Sequence, residues 1–109
     1  MTLENLKLAI KNRTSVSFAY NKPGKVSGVR IGNPHAVFVM TKKDGSKSTK
    51  VHIVQTDGVS DSGQEFPSFR MFDITELLNV ELVDDSSPFP VHEDYNSGWD
   101  GYSHIIAKI

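Results

Sequence analysis

A chain of 109 residues with 38% hydrophobic and 23% charged content can bury one core without covalent or metal staples. It holds no cysteine, which excludes disulfides, zinc–thiolate centres and cysteine nucleophiles. The net charge of −1 hides a division: residues 1–55 carry ten Lys/Arg against two acids, and residues 56–109 carry two against eleven. That split implies either an anionic partner for the first half or complementarity between the halves on folding.

In chain order, Thr2 is placed to cap a helix reaching about Lys11, with Leu3, Leu6 and Ile10 on one face and Glu4, Lys7 and Lys11 on the other. This amphipathic segment lacks the apolar block of a signal peptide. No run of about 18 apolar residues follows, so the expectation is a cytoplasmic protein with no membrane partner. SVSFAY alternates with period two, placing Val16, Phe18 and Tyr20 on one face of a strand. NKPGK then supplies a turn through Pro23 and Gly24.

Val26–Ile31 reads as a second strand closed by Gly32-Asn33-Pro34, and AVFVM as a separate, central third strand. Asp44-Gly45 marks a hairpin into a fourth strand, TKVHIVQ. TDGVSDSGQ is a polar loop with room for a lid, and Phe66–Asp73 is a fifth strand. Asp73 is placed to cap a helical turn, with Glu76 as reciprocal partner, before alternation resumes at Val80 and Leu82. A linker over residues 84–90 leads to a tail rich in aromatics, Tyr95, Trp99 and Tyr102, that ends in HIIAKI, a last strand or docked arm. One helix feeding many short strands predicts a mainly β, single-domain SH3-like or Sm-like barrel over about residues 14–83, with an N-terminal helix and a C-terminal arm over about 84–109.

Several chemistries lack their residues. There is no Gly-x-Ser-x-Gly elbow, no Gly-rich phosphate loop opening a helix and no His-x-x-x-His pair among the four histidines. No enzyme, cofactor or metal is therefore expected. Anion binding needs guanidinium forks, for which Arg30 and Arg70 are the candidates; the alternative is that each pairs with an acid such as Asp73 or Glu81. His52 lies mid-strand, either as a satisfied sheet histidine or as a pocket group. Single-stranded nucleic acid needs exposed aromatic faces in a basic groove, and Trp99 and Tyr102, the aromatics expected to be exposed, lie in an acidic segment.

The order LKLAIKNRTSVSFAY, VRIGNPHAV, KVHIVQTDG and FRMFDITELLNVEL, over roughly residues 3–83, resembles the WYL domain family, in particular a stand-alone, divergent group. Arg30, Pro34, Phe69 and Arg70 match its pattern. Val51, His52 and Ile53 stand where the family has Trp-Tyr-Leu, and Pro67 and Asp73 where it often has two further arginines. The resemblance implies a small barrel with a non-catalytic, regulatory, ligand-sensing role in bacterial or phage regulators. Its ligand would be a small anion or single-stranded nucleic acid held by Arg30, Asn33, His35, His52 and Arg70. The alternative expectation is an interaction module that forms a homo-oligomer through its basic and acidic halves.

Overall fold

The structure is a computed structural model that describes residues 2–20, 24, 28–59, 65–83, 88–102 and 104–109. Among these, helix α1 (Thr2–Asn12) precedes strands β1 (Val16–Tyr20), β2 (Val29–Thr41), β3 (Lys47–Gly58), β4 (Ser68–Asp73), β5 (Leu77–Leu82) and β6 (Ile105–Lys108). The strands form one antiparallel sheet in the order β4-β3-β2-β1-β5, with β6 added to β2. The outermost strands of that order, β4 and β5, are consecutive in sequence and joined only by a 3₁₀ turn, Ile74–Glu76. A three-residue link cannot span a flat five-strand sheet, so the sheet curls on itself into the expected small barrel. No helix among the described residues is long and apolar enough to cross a membrane.

The curl creates an inner face. Val16 and Phe18 of β1, Val37 of β2, Val51 and Ile53 of β3, Phe72 of β4, and Leu77 and Val80 of β5 meet there with Leu6, Ala9 and Ile10 of α1. Phe72 is edge-on to both Phe18 and Tyr20, at 5.3 and 4.9 Å between ring centres. Truncating a ring at such a site costs about 3–5 kcal/mol. The helix is tied down by Asn5 Nδ2 donating to the Val80 carbonyl at 2.8 Å. It ends where Thr14 N donates to Ala9 O and Arg13 N to Ile10 O, with Arg13 in the left-handed region at φ 52. This is a Schellman closure in which arginine occupies the position that glycine fills at least cost.

The structure departs from the sequence reading in three places. The second and third predicted strands are one strand of 13 residues, and Gly32-Asn33-Pro34 runs through it without ending it. A Cβ at Gly32 would collide with Ile53 and crowd the Val54 carbonyl, so glycine serves close strand approach here. Irregular register between Pro34 and Ala36 makes His35 the extra residue of a bulge. In β5 the buried pair is Leu77 and Val80, not Val80 and Leu82. Residues three apart share a face because Asn79, at φ 53, accompanies a register shift against β1. Glu76 does not complete a capping box; Asp73 alone caps the turn, accepting from Thr75 N at 3.0 Å and Thr75 Oγ1 at 2.7 Å. The NKPGK turn, apart from Gly24, residues 60–64 of the TDGVSDSGQ loop and residues 84–87 of the linker lie outside the described residues.

The Asp44-Gly45 hairpin forms as expected, with Gly45 at φ +86 and Asp44 Oδ1 accepting from Ser46 N at 2.8 Å. The backbone accounts for a set of stability differences to be read by urea unfolding. Arg13→Gly should stabilise by roughly 0.5–1 kcal/mol, the left-handed penalty less the entropy that glycine carries. Gly45→Ala, at a left-handed position with open space around it, should cost about 1 kcal/mol. Gly58→Ala, at φ +96 with its Cβ aimed at the Val29 carbonyl and Arg30 Cα, should cost about 2 kcal/mol or more.

Candidate ligand-binding cleft

The five residues predicted to bind ligand are divided between the two faces of the sheet. Arg30 lies opposite Phe18, and Arg70 opposite Ile53, so both point to the inner side. Arg30 is 1% exposed; its Nη1 lies 3.4 Å from Gln55 Oε1, and its guanidinium sits 5.5 Å from the Tyr20 ring centre and 5.9 Å from that of Phe72. Aromatic faces and an amide thus offset the desolvation of this charge. Arg70 Nε donates to Ser68 Oγ at 2.8 Å. Asp73 directs its carboxylate to Lys50 Nζ at 3.2 Å as well as to the Thr75 cap, so the proposed Arg70–Asp73 pair is replaced by Lys50–Asp73. That bridge joins the basic half of the chain to the acidic half.

Asn33, His35 and His52 belong to the outer side, where the C-terminal arm packs. Asn33 Oδ1 accepts from Ser15 Oγ at 2.6 Å. His35 is 0% exposed, and both its nitrogens are used. Nε2 lies 3.0 Å from the His92 backbone N–H and can only accept there, which places the ring proton on Nδ1, 2.8 Å from the Asn33 carbonyl. The ring stacks on Phe89 at 5.2 Å and meets Phe69 and Tyr95 edge-on. Burial lowers its pKa below the ordinary 6.5. His35 is therefore a neutral structural post that anchors the arm.

The arm follows from this anchor. Phe89 N donates to the Arg13 carbonyl, Ile109 N to the His35 carbonyl and Tyr95 OH to the Ile109 carbonyl. Between these ties the chain makes consecutive tight turns, with Tyr95 N donating to His92 O, Trp99 N to Asn96 O and Tyr102 N to Trp99 O. β6 then pairs Lys108 with Ala36 and Ile105 with Phe38. The tail is thus a docked arm. Its Tyr102 is buried beside Phe38, whereas the sequence reading has it exposed; Trp99 remains 40% exposed.

His52 projects from β3 into this aromatic layer. Its Nδ1 is 2.6 Å from Tyr102 OH, and its ring lies 4.8–5.5 Å from Phe38, Phe69, Trp99 and Tyr102. Burial, with a smaller contribution from His35, lowers the His52 pKa to about 4; burial also raises that of Tyr102 to about 12. Both groups are uncharged at neutral pH. A cleft of ≈ 210 Å³ opens over them, walled by His52, Phe69, Trp99 and Tyr102 and edged by Asp94 and Asn96. The indole is held from behind by Gly101, where any Cβ would collide with it.

A second depression shares Phe69 and Asp94 with this cleft, and a third shares Pro67, His92 and Glu93 with the second. The three form a groove between the arm and the β3–β4 face, reaching Asn33. Among the described residues that line it none is lysine or arginine, whereas Glu65, Glu93 and Asp94 are acidic. Among the described residues no three His, Asp or Glu side chains converge as metal ligands. Compared with family models, curated proteins and solved structures, the chain matches none.

Of the residues predicted from sequence, His52 lines this cleft and Asn33 the far end of the groove. Phe69, Asp94, Asn96, Trp99 and Tyr102 are added by the tertiary structure. Their sequence signal is the density of aromatics in a Gly/Asn/Asp-rich tail, which marks the arm as packed but does not say onto what. The buried imidazoles also set a pH dependence. A histidine whose folded pKa lies below its unfolded value gives stability that is complete above about pH 6.5 and lost as pH falls toward the folded value. Urea midpoints should therefore fall between pH 7 and 4.5, and the fall should be shallower in His52→Gln. An equal slope in the variant would show that His52 is not buried uncharged.

Proposed function

We propose that this chain is a non-catalytic ligand-binding module of the WYL-like kind that its sequence resembles, with the ligand held in the cleft between the outer sheet face and the C-terminal arm. The observation that carries this reading is Trp99, kept 40% exposed beside His52, Phe69 and Tyr102 and braced by Gly101. A large ring seated against Gly101 at a half-open wall leaves an aromatic face available for contact beside the other three rings. The position of His52 strengthens the reading, because it stands where the resembling family carries the middle residue of its Trp-Tyr-Leu strand.

The arrangement favours a small ligand over nucleic acid. Single-strand binding combines stacking rings with a basic track for phosphates, and this groove is edged by carboxylates. Arg30, the residue best matched to an anion-binding role, is enclosed in the inner core. A sensor role of the kind the resemblance implies would then act through the arm, whose docking the ligand would reinforce.

Trp99 is the single tryptophan of the chain, so its emission reports on this cleft alone. A panel of small organic cations, carboxylates, mononucleotides and short single-stranded oligonucleotides should contain at least one small-molecule class that shifts Trp99 emission and raises the melting temperature. His52→Ala should weaken that binding, as measured by calorimetry. A panel that leaves Trp99 unmoved, or a ligand whose affinity is unchanged in His52→Ala and Phe69→Ala, would remove the assignment.

A further inference from the structure

The chemistry of the cleft walls narrows the ligand class, on the premise that this cleft is the binding site. Three aromatic rings, Phe69, Trp99 and Tyr102, and one uncharged imidazole, His52, surround a space of ≈ 210 Å³. That is below the roughly 300–1,000 Å³ typical of pockets for drug-sized molecules, and so this compartment of the groove fits a headgroup. Among the described residues the charged one at its edge is Asp94, whose side chain is 71% exposed. His92 lies beside it, Nδ1 being 3.8 Å from the carboxylate. That nitrogen accepts the Asp94 backbone N–H at 3.0 Å, so it carries no proton in this arrangement and does not neutralise Asp94.

Aromatic faces present negative potential, and a carboxylate at the rim adds to it. An anion is repelled by both. A primary ammonium loses three hydrogen bonds to water on entry and finds few acceptors here, whereas a methylated ammonium has little hydrogen bonding to lose and gains contact with the rings. We infer that the cleft formed by His52, Phe69, Trp99 and Tyr102, with Asp94 at its rim, binds a quaternary or methylated ammonium group. The group is carried either by a small molecule or by a methylated lysine side chain of a peptide; the cleft recognises the chemistry common to both.

Choline, tetramethylammonium and a trimethyl-lysine peptide are titrated against the full chain, following Trp99 emission and heat. The neutral isostere of choline, 3,3-dimethyl-1-butanol, and acetate serve as comparators. Choline should bind at least about tenfold more tightly than the isostere, since the desolvated cation–ring term is the difference between them. Asp94→Asn, an exposed change that leaves the fold intact, should weaken choline about two- to fivefold, and Trp99→Ala at least about tenfold, with circular dichroism confirming folding. A peptide that outbinds choline identifies the partner as a methylated protein; the reverse identifies a metabolite. Equal affinity for choline and its isostere, or a Trp99 response to acetate or nucleotide without one to choline, would overturn the cation assignment and leave the cleft as the binding site. No response of Trp99 to any probe would overturn both.

Discussion

Strand β2 hydrogen-bonds to three other strands, and the rest of the molecule is arranged around that. Along one edge it pairs with β3 over almost its whole length. Along the other it pairs with β1 through residues 29–32 and with β6 through residues 36–38. An edge can serve two partners in succession only if the strand is long enough and bends between them. The bend lies at the bulge around His35, between the two pairing segments. Bulging there turns an imidazole toward the arm, and its nitrogens then bind Asn33 of the same strand and His92 of the arm. Barrel and arm are joined by the irregularity that lets one strand belong to both.

That joint determines the character of the outer face. An isolated barrel would expose Phe38, Phe69 and His52 to water. Docking covers Phe38, partly covers the other two and brings Trp99 and Tyr102 over them. The edge of the arm that meets the sheet is incomplete, and the cleft is what it leaves uncovered. Its wall chemistry follows from burial: the histidine is neutral because charging it there is costly, and Tyr102 stays protonated for the same reason. Among the described residues, Asp94 of the arm then supplies the charge at the rim. The charge division along the chain is partly resolved in folding, as Lys50–Asp73 shows, and partly left as this acidic edge.

On the inner side the same strand makes a different use of a polar group. Arg30 faces Phe18 across the ladder and spends its guanidinium on Gln55 and on the rings of Tyr20 and Phe72. Burial, reinforced by the nearby Glu76 carboxylate, raises the pKa of the Tyr20 hydroxyl to about 12. Buried polar groups of this sort are costly to break and of little net benefit to stability, but they restrict how β1, β2 and the β4–β5 turn can fit together.

Much of the scaffold was legible in the residues. Period-two alternation in SVSFAY, TKVHIVQ and SFRMFD located β1, β3 and β4, the 3.6 period located α1, and Asp44-Gly45 and Asp73 marked turns through their own side chains and backbone freedom. These are local signals, carried by neighbours a few residues apart, so the sequence by itself determined the helix, most of the strands, the mainly β class and the absence of thiol chemistry. What it could not express is which face of each strand meets which distant segment. Gly32-Asn33-Pro34 reads as a stop but continues a strand because β3 on one edge supplies the ladder that the local geometry interrupts. Arg30 reads as a ligand group but is enclosed because register puts it opposite Phe18. Trp99 and His52 lie 47 positions apart and meet only because the bulge at His35 lets the arm return across β2. Only the tertiary structure decided the site, since a site of this kind is made where non-local pairing brings two segments together, and cross-chain register is a property that neither segment carries alone.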